Sequence, residues 1–418
     1  MRLLFLTNFY PPASLGGYEM WCREVAEGLR RGGHEVYVLT SSHLQAELSK
    51  PDPVWVLRKL YLEMEFASLK NGLEFFTHRK KREAENIEIL NQSVERYDPQ
   101  IILIWGMWNL PRSLPALAEK LRPGRVVYYM GDYWPILPRQ FELYWQAPAR
   151  NLLTSCPKFI LKQIAKRILA KEHPPDLQLN RVIFPTAFLR DEFMRKGITP
   201  GKTEIIYGAV DSAAYPYRNM GDSARRKNHV SLLSVGRLTP DKGVHTALEA
   251  LSELVHRHNL NIFKLVIVGS GEADYETYLR QLSSKNRIDS MVTFLGPQPQ
   301  EAMPSIYRNA DIFLFTSIWP EPFGRVIVEA MATGIPVVGT ATGGAAEILF
   351  DNENALLFTP GDAGSLAGQL RRLVESPELQ KQLSEAGRRM VSTRFDLKRM
   401  ASEIEAYLQN TLESVQNE

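Results

Sequence analysis

The chain has 418 residues, more than one hydrophobic core usually serves, because such cores stop growing at about 250 to 300 residues. The length therefore predicts two domains. Hydrophobic residues make up 44% and charged residues 23%, as in ordinary globular proteins, and a formal net charge of +3 is too small to indicate nucleic-acid binding. Two cysteines, Cys22 and Cys156, allow at most one disulfide, which favours a reducing, cytoplasmic location. Because no apolar run is long enough to span a bilayer, any membrane contact is expected at the surface.

The first half of the chain alternates short apolar runs with amphipathic segments. Strands are predicted at RLLFLT, at HEVYVLT and at four later runs, 101–105, 125–130, 181–185 and 203–207, with a helix over 18–30. This alternation is typical of βαβ units and a parallel sheet. The polar stretch 219–229 has no apolar period, which predicts a linker.

The alternation begins again after the linker. Strands are predicted at VSLLSV, FKLVIV, MVTFLG, DIFLFT and PVVGT, with helices between them. We therefore expect an α/β fold with two Rossmann-like domains facing each other across a cleft, at residues 1–215 and 216–394. The apolar period of residues 395–418 predicts a C-terminal helix that closes against the first domain.

Three segments are candidates for binding phosphate. Gly16 and Gly17 lie at a strand-to-helix junction, where glycines let backbone N–H groups approach an anion, although a simple tight turn explains them equally well. Arg237 and Lys242, in GRLTPDKG, follow a predicted strand and could hold two phosphates; the alternative is a solvated basic turn. TGGAAE at 342–347 offers further backbone donors, or is merely a turn. The sequence has no Asp-x-Asp and no closely spaced His and Cys set, so we expect no metal ion or other cofactor.

The segment WPEPFGRVIVEAMATG carries Glu321 and Glu329 in otherwise apolar surroundings. With a helix beginning near Phe323, Glu321 lies at the mouth of the helix and Glu329 about 9 Å along its axis. The two carboxylates can then contact different parts of one elongated ligand, with the N–H groups of Phe323, Gly324 and Arg325 facing its middle. The alternatives are a helix-dipole role for Glu321 and a solvated position for Glu329.

Together these motifs resemble a known family. EPFGRVIVEAMATGIPVV, preceded by FTS and followed by TGGAAEI, resembles the signature of the retaining glycosyltransferases of family 4, which have the two-domain GT-B architecture. The resemblance covers most of the chain, through LGGYE, RRGGHEV, GRLTPDKG, VIVGSG, FLGPQP and LLFTPGD. It implies metal-independent, hexosyltransferase-like transfer of a sugar from a nucleotide diphosphate to a hydroxyl of a glycan, lipid-linked or small-molecule acceptor, with retained anomeric configuration.

The resemblance also implies roles for single residues. Glu321 and the backbone of Phe323 and Gly324 would hold the donor sugar. Arg237 and Lys242 would bind the diphosphate and stabilise it as a leaving group. Glu329 would bind the ribose hydroxyls, and Gly269 and the segment around Pro297 would flank the base. The catalytic residues implied are Glu321, Arg237 and Lys242, and the donor-binding residues are Gly16, Gly17, Gly269, Pro297, Phe323, Gly324 and Glu329. The residues themselves add Asp132 as a catalytic candidate and Arg325, through its N–H group, as a donor-binding one.

One position departs from the family pattern. The family commonly has a histidine after the strand RVVYY, and here Gly131 stands at that place, in YYMGDYWP. The hydrogen bond of a histidine to the sugar is therefore missing or supplied by another group. Asp132 is the candidate, with capping of the turn as its alternative role. Gly131 itself either makes room for a different donor sugar or marks reduced activity.

Acceptor selection is expected in the first domain. Its aromatic side chains either stack on sugar faces or line the core: Trp105, Trp108, Tyr133, Trp134, Tyr144 and Trp145. Residues 157–173 predict a basic amphipathic helix, whose apolar face is Phe159, Leu161, Ile164, Ile168 and Leu169. This helix either lies on an anionic membrane face near a lipid-linked acceptor or packs with a solvated basic face.

Two rival functions fit the same architecture. A nucleotide-sugar epimerase or a phosphorylase would form no acceptor glycoside. A catalytically weak subunit that binds the nucleotide sugar, suggested by Gly131, would bind the donor without turnover. The fold alone does not determine function, so the site residues must decide. They favour sugar transfer over both rivals.

Overall fold

The computed structural model describes residues 1–14, 16–45, 51–65, 71–148, 152–218 and 229–417. The chain divides by its contacts into two units. The first comprises Met1–Pro185, Arg190–Ile206 and Ala401–Glu418, and the second comprises Thr186–Leu189 and Tyr207–Met400.

The unit borders can be set beside the sequence prediction. The chain passes from the first unit to the second at Tyr207 and returns to the first at Ala401. The borders predicted from the sequence are at 216 and 395. Of the predicted linker, residues 219–228 lie outside the described residues.

The first unit is built on a seven-stranded sheet in the order β3-β2-β1-β4-β5-β6-β7, with every pairing parallel. Its strands are β1 Arg2–Leu6, β2 Glu35–Ser41, β3 Val56–Leu60, β4 Ile101–Ile104, β5 Val126–Tyr129, β6 Arg181–Phe184 and β7 Lys202–Ile205. All residues of β4, β5 and β6 are buried. Parallel strands covered on both faces are apolar throughout, which is why these runs were recognisable in the sequence.

Helices connect the strands of the first unit. They are α1 Gly17–Arg31, α2 Asn71–Thr77, α3 Arg79–Tyr97, α4 Ser113–Leu121, α5 Gln140–Gln146, α6 Leu152–Ala170 and α7 Ala187–Arg195. The last helix of the chain, α14, spans Leu397–Asn417, and its residues from Ala401 belong to the first unit. There His34 Nε2 lies 2.8 Å from a carboxylate oxygen of Glu405, and Arg181 donates a 2.6 Å hydrogen bond to the Ser414 hydroxyl.

The second unit has a six-stranded parallel sheet in the order β10-β9-β8-β11-β12-β13. Its strands are β8 Val230–Val235, β9 Phe263–Val268, β10 Val292–Gly296, β11 Ile312–Phe315, β12 Val337–Gly339 and β13 Leu356–Leu357. Its helices are α8 Val244–His256, α9 Ala273–Lys285, α10 Met303–Asn309, α11 Arg325–Thr333, α12 Ala363–Val374 and α13 Pro377–Arg394. The strand order reverses between β8 and β11, and the crevice at such a reversal is where α/β sheets bind ligands.

Both units are thus Rossmann-like, as the sequence predicts. Within the described part of the chain, no helix is both long and apolar enough to cross a membrane.

Candidate active site

Two predicted residues meet at the reversal point of the second sheet. Lys242 lies in the loop after β8 and Glu321 in the loop after β11, and the Lys242 ammonium forms an ion pair with the Glu321 carboxylate. Their side chains are 18% and 11% exposed. Ser317 donates to the same carboxylate oxygen at 2.9 Å. From the sequence, Lys242 is expected to bind phosphate and Glu321 to bind the sugar. In the structure the two side chains are paired with each other.

The two loops are held together by hydrogen bonds to backbone carbonyls. Thr316 Oγ1 donates to the carbonyl of Lys242 at 2.8 Å, and the N–H of Ile318 donates to the carbonyl of Asp241 at 2.9 Å. Gly243 has φ +64°, and a Cβ there would lie 2.2 Å from the carbonyl oxygen of Thr316. Only glycine fits this approach. These contacts therefore fix the backbone that carries Lys242.

Arg237 is placed differently from Lys242. It follows β8 by two residues, and its side chain is exposed. No hydrogen bond or ion pair of its guanidinium is found within the described residues. The structure therefore brings Lys242 and Glu321 together and leaves Arg237 available to an anion in solvent.

The helix after Glu321 begins later than predicted. Helix α11 starts at Arg325 rather than near Phe323, because Gly324 adopts φ +108° and ends the preceding extended segment. Glu329 is therefore the fifth helical residue, closer to the N-terminus than the sequence analysis placed it. Phe323 is 2% exposed, so its ring packs in the interior and only its backbone can face a ligand.

Glu329 is buried, which excludes the solvated alternative. Its side chain is 6% exposed and accepts hydrogen bonds from Arg325 Nε at 3.0 Å and from the Tyr307 hydroxyl at 2.9 Å. Gln300 Nε2 lies 3.5 Å from it. A carboxylate has about four acceptor positions, and three donors lie at this one, so one position remains. The sequence analysis missed Tyr307 and Gln300, which lie outside the recognised motif.

The TGGAAE loop is a packing element. The N–H of Gly344 donates to the carbonyl of Glu321 at 2.6 Å, and a Cβ at Gly343 would lie 2.5 Å from the backbone of Pro320. The next two N–H groups, of Ala345 and Ala346, close turns within the loop. The predicted turn is therefore observed, and donation from this loop to a ligand stays a prediction. The loop supports the backbone of Glu321 from behind.

The segments predicted to flank the base are adjacent. The N–H of Gly269 donates to the carbonyl of Gly296 at 2.9 Å, and Pro297 follows as an exposed residue. Gly269 has φ +127°, and a Cβ there would lie 1.9 Å from the carbonyl oxygen of Gly236. The close contact with Gly236 is therefore enough to explain why residue 269 is a glycine.

In the first unit, Gly16 precedes α1 and Gly17 is its first residue. Gly16 has an extended φ of 178°, and a Cβ there would meet no atom within 4 Å. Its N–H donates to the Glu19 carboxylate at 3.0 Å, as in a capping box. Neither its conformation nor its described surroundings require glycine at 16, and its role in binding the diphosphate stays a prediction.

The space beside Gly131 is filled by Tyr18. A Cβ at Gly131 would lie 2.3 Å from Tyr18 Cε2 and 2.5 Å from Cδ2. The Tyr18 ring stacks on Trp105 with centroids 5.8 Å apart, and its hydroxyl donates to the carbonyl of Tyr129. The expectation that Gly131 makes room for a different sugar is therefore wrong at this point, because the chain itself occupies the room. Tyr18 directly follows Gly16 and Gly17, but its contact with Gly131 has no sequence signal.

Asp132 follows Gly131 at the carboxyl end of β5. Its Oδ1 accepts from the N–H of Trp134 at 3.3 Å, so the capping role that was its alternative is present. Burial raises the pKa of Asp132 to about 7; the Trp134 N–H opposes this shift, and the nearby charge of Glu19 adds to it. Near neutral pH this carboxyl group can therefore change protonation state.

The raised pKa of Asp132 predicts a pH-dependent effect of Asp132→Asn on stability. The folded pKa lies above the ordinary value of 3.8, so wild-type stability falls as the pH rises from about 4 to about 7. The Asn variant lacks this loss. We expect its gain in free energy of unfolding over the wild type to grow across that window and to stay constant above it, reaching on the order of 4 kcal/mol.

Thermal unfolding at pH 4 to 9 measures this gain. Asp191→Asn, at a side chain that is 61% exposed, is the control and should give a flat difference. A flat difference for Asp132→Asn as well would contradict the assignment.

Several aromatic side chains are not available for stacking on a sugar. Trp105 and Trp145 are 1% exposed and Trp134 is 5% exposed. Trp105 stacks on Tyr129 with centroids 4.2 Å apart, and Trp145 packs in a cluster with Phe75. For these three tryptophans the core role is correct, because large aromatic side chains bury most of their area. The partly exposed members of the predicted set are Trp108, Tyr133 and Tyr144.

Comparison with known proteins agrees with this architecture. Residues 15–214 match the family model described as Glycosyltransferase Family 4, and residues 218–390 match the one described as Glycosyl transferases group 1. The chain is 30% identical to a glycogen synthase of Mycobacterium tuberculosis over 96% of this chain and 93% of that protein. It is 28% identical to an uncharacterised glycosyltransferase of Methanocaldococcus jannaschii, over 90% and 89%.

Solved structures show the same fold. A sucrose-phosphate synthase of Thermosynechococcus elongatus superimposes with a TM-score of 0.72 at 18% identity, covering 99% of each chain. HepE of Anabaena, in complex with UDP and glucose, gives 0.68 at 22%, covering 98% of this chain and 99% of its own. The two Rossmann-like domains are those of the GT-B class. The chain belongs to glycosyltransferase family 4 and is a glycosyltransferase.

Proposed function

We propose that the protein transfers a hexose from a nucleotide diphosphate to a hydroxyl of a carbohydrate, lipid-linked or small-molecule acceptor, with retained configuration and without a metal ion. The observation that carries this proposal is the Lys242–Glu321 ion pair at the reversal point of the second sheet. It places a cation and a carboxylate, both largely shielded from solvent, at the mouth of α11.

The chemistry follows from the charges. The bond that breaks joins the anomeric carbon to the diphosphate, which leaves with an additional negative charge. Lys242 and the exposed Arg237 stabilise that charge, and the first N–H groups of α11 add partial positive charge. Glu321 binds sugar hydroxyls and holds Lys242 in place. The departing diphosphate accepts the acceptor's proton, so the charges balance without a metal ion.

The remaining donor contacts are assigned by position. Glu329 binds the ribose through its remaining acceptor position, Gly269 and Pro297 flank the base, and Gly16 and Gly17 allow the diphosphate to approach the backbone. Asp132 is the candidate for a hydrogen bond to the sugar. Two solved complexes support a nucleotide-sugar donor: HepE of Anabaena was solved with UDP and with UDP-glucose.

Proton NMR of the product tests the stereochemistry and the metal independence together. With an α-linked donor, we expect an α-linked product at an unchanged rate in excess EDTA. A β-linked product would overturn the retaining assignment, and loss of activity in EDTA that added Mg²⁺ or Mn²⁺ restores would overturn the metal-free one.

Helix α6 supports a membrane-bound acceptor. The predicted apolar face is divided: Ile168 and Leu169 pack on the cluster around Trp145. Phe159, Ile160 and Ile164 are instead exposed, at 65%, 59% and 46%. The single apolar face of the sequence analysis was therefore wrong. Exposed apolar side chains beside lysines and arginine favour an anionic bilayer surface.

We expect Phe159→Ser/Ile160→Ser/Ile164→Ser to weaken binding to phosphatidylglycerol vesicles by about tenfold or more, since each side chain inserted contributes on the order of 1.5 kcal/mol. Vesicle sedimentation measures this binding. The control is Ile262→Ser, at a 38% exposed position in the second unit, which should not change it. Equal binding by the triple variant and the wild type would exclude this surface.

A further inference from the structure

The first unit contains a cavity at the carboxyl end of its sheet. Its wall includes residues 61–63, which directly follow β3, residues 111–113 at the start of α4, and Arg139 before α5. The cavity volume is about 80 Å³, which is room for several water molecules and hence for a small polar group. Ligands of parallel α/β sheets bind at this end of the strands.

The cavity wall is strongly charged. Five lysine or arginine side chains and three glutamates line it. Three of the cations surround the Glu172 carboxylate. Arg79 donates two hydrogen bonds of 2.6 Å to it, and the nearest nitrogens of Lys80 and Arg139 lie 3.2 Å and 3.5 Å from its oxygens. The hydrogen bonds from Arg79 contribute most to holding the pKa of Glu172 down, at about 2. Two of these cations have a second carboxylate nearby: Arg139 donates to Glu142 at 2.8 Å, and Lys80 lies 3.8 Å from Glu83.

Arg112 has no carboxylate partner among the described residues. Its Nη2 donates to the carbonyls of Pro135 at 2.8 Å and Leu137 at 3.2 Å. Burial, followed by the like charge of Arg139, lowers the pKa of Arg112, while the charges of Glu142 and Glu63 oppose this shift. An incoming anion would relieve both costs, because it pairs a poorly solvated cation and offsets the repulsion between two guanidinium groups.

Two further groups in the wall are suited to an anion. Arg79 is 9% exposed, and its Nε is buried without a hydrogen-bond partner in the described structure. Burial raises the pKa of Glu63 to about 7, so near neutral pH this carboxyl group can donate to a phosphate oxygen. Neutral sugar hydroxyls would give Arg112 no direct ion pair, whereas a phosphate matches the planar fork of a guanidinium.

We propose that this cavity binds a phosphate group of the acceptor, with Arg112 and Lys80 as its main ligands. The assignment to the acceptor rests on the proposed sugar transfer, while phosphate binding itself does not. The phosphate belongs either to a water-soluble sugar phosphate or to a lipid, and the chemistry at the cavity is the same for both.

Calorimetric titration with inorganic phosphate at constant ionic strength tests the site. All measurements use the full chain carrying Lys242→Ala, which weakens phosphate binding at the proposed donor site and makes the result independent of transfer activity. We expect saturable binding that Arg112→Gln weakens by about tenfold or more, because a charge-assisted fork is lost. Arg190→Gln, which removes a partly exposed arginine paired with Asp191, is the control and should leave the affinity unchanged.

The absence of saturable binding, or equal affinity in Arg112→Gln, would overturn the proposal. Should Arg112→Gln fail to fold, Lys80→Gln replaces it, since the Lys80 side chain is 67% exposed; unchanged affinity there would also overturn the proposal. Glucose 6-phosphate and phosphatidic acid vesicles then compete with inorganic phosphate. Displacement by one of them identifies the source, and displacement by neither refutes the assignment to the acceptor.

Discussion

Glu321→Gln should lower kcat for sugar transfer by roughly a hundred- to a thousandfold, the usual effect of removing one preorganised charge at a reacting centre. Glutamine keeps the shape and still accepts the hydrogen bond of Ser317, but Lys242 then lacks its counter-charge. Lys242→Gln should have an effect of similar size, because the leaving diphosphate loses a cation. Initial rates of nucleotide release and of product formation measure both effects.

The ion pair also predicts that the two substitutions are not additive. The double variant should be more active than the product of the single effects, with a coupling energy of about 1 to 3 kcal/mol. The matched control is Glu385→Gln, which removes a carboxylate that is 43% exposed and 4.0 Å from Lys381. A Glu321→Gln enzyme within twofold of the wild-type kcat would remove Glu321 from the mechanism.

Gly131→Ala should lower the free energy of unfolding by about 2 kcal/mol or more, as overpacking of a filled site does. The new methyl group would lie 2.3 Å from the Tyr18 ring. The ring cannot move aside cheaply, since it stacks on Trp105 and Tyr129 and its hydroxyl is bonded to the backbone. Chemical denaturation measures the loss.

Combining the substitution with Tyr18→Ala tests the cause. If the ring is responsible, Gly131→Ala should be nearly neutral in the Tyr18→Ala background, a coupling of at least about 1 kcal/mol. Gly16→Ala is the control for adding a methyl group, since nothing lies within 4 Å there, and it should change stability by less than about 0.5 kcal/mol. A Gly131→Ala protein as stable as the wild type would show that the ring yields.

The fold could be predicted because its strands carry their own signal. Buried parallel strands such as β4 and β5 are apolar at every position, so their runs stand out from the helices around them. The edge strand β3, VLRKL, was missed because Arg58 and Lys59 break the apolar run. Arg58 is buried by its ion pair with Asp52 at 2.8 Å, a partner that periodicity cannot reveal.

The site could be predicted only as a set of residue types. Lys242 and Glu321 were recognisable from their motifs, but their pairing joins positions 79 residues apart and depends on the adjacency of β8 and β11. The same limit applies to Tyr18 and Gly131, whose contact follows from the order β1-β4-β5. Helix α11 was placed early because the apolar pattern continues through Phe323, and only the positive φ of Gly324 marks the start.

A donor screen tests the central claim most directly. The purified protein is incubated with UDP-, GDP- and ADP-sugars, with and without acceptor mixtures, and nucleotide release is followed for the wild type, Glu321→Ala and Lys242→Ala. The account predicts release from one donor that is lost in both variants. A donor that raises the melting temperature but is never consumed would contradict sugar transfer and indicate a subunit that only binds the nucleotide sugar.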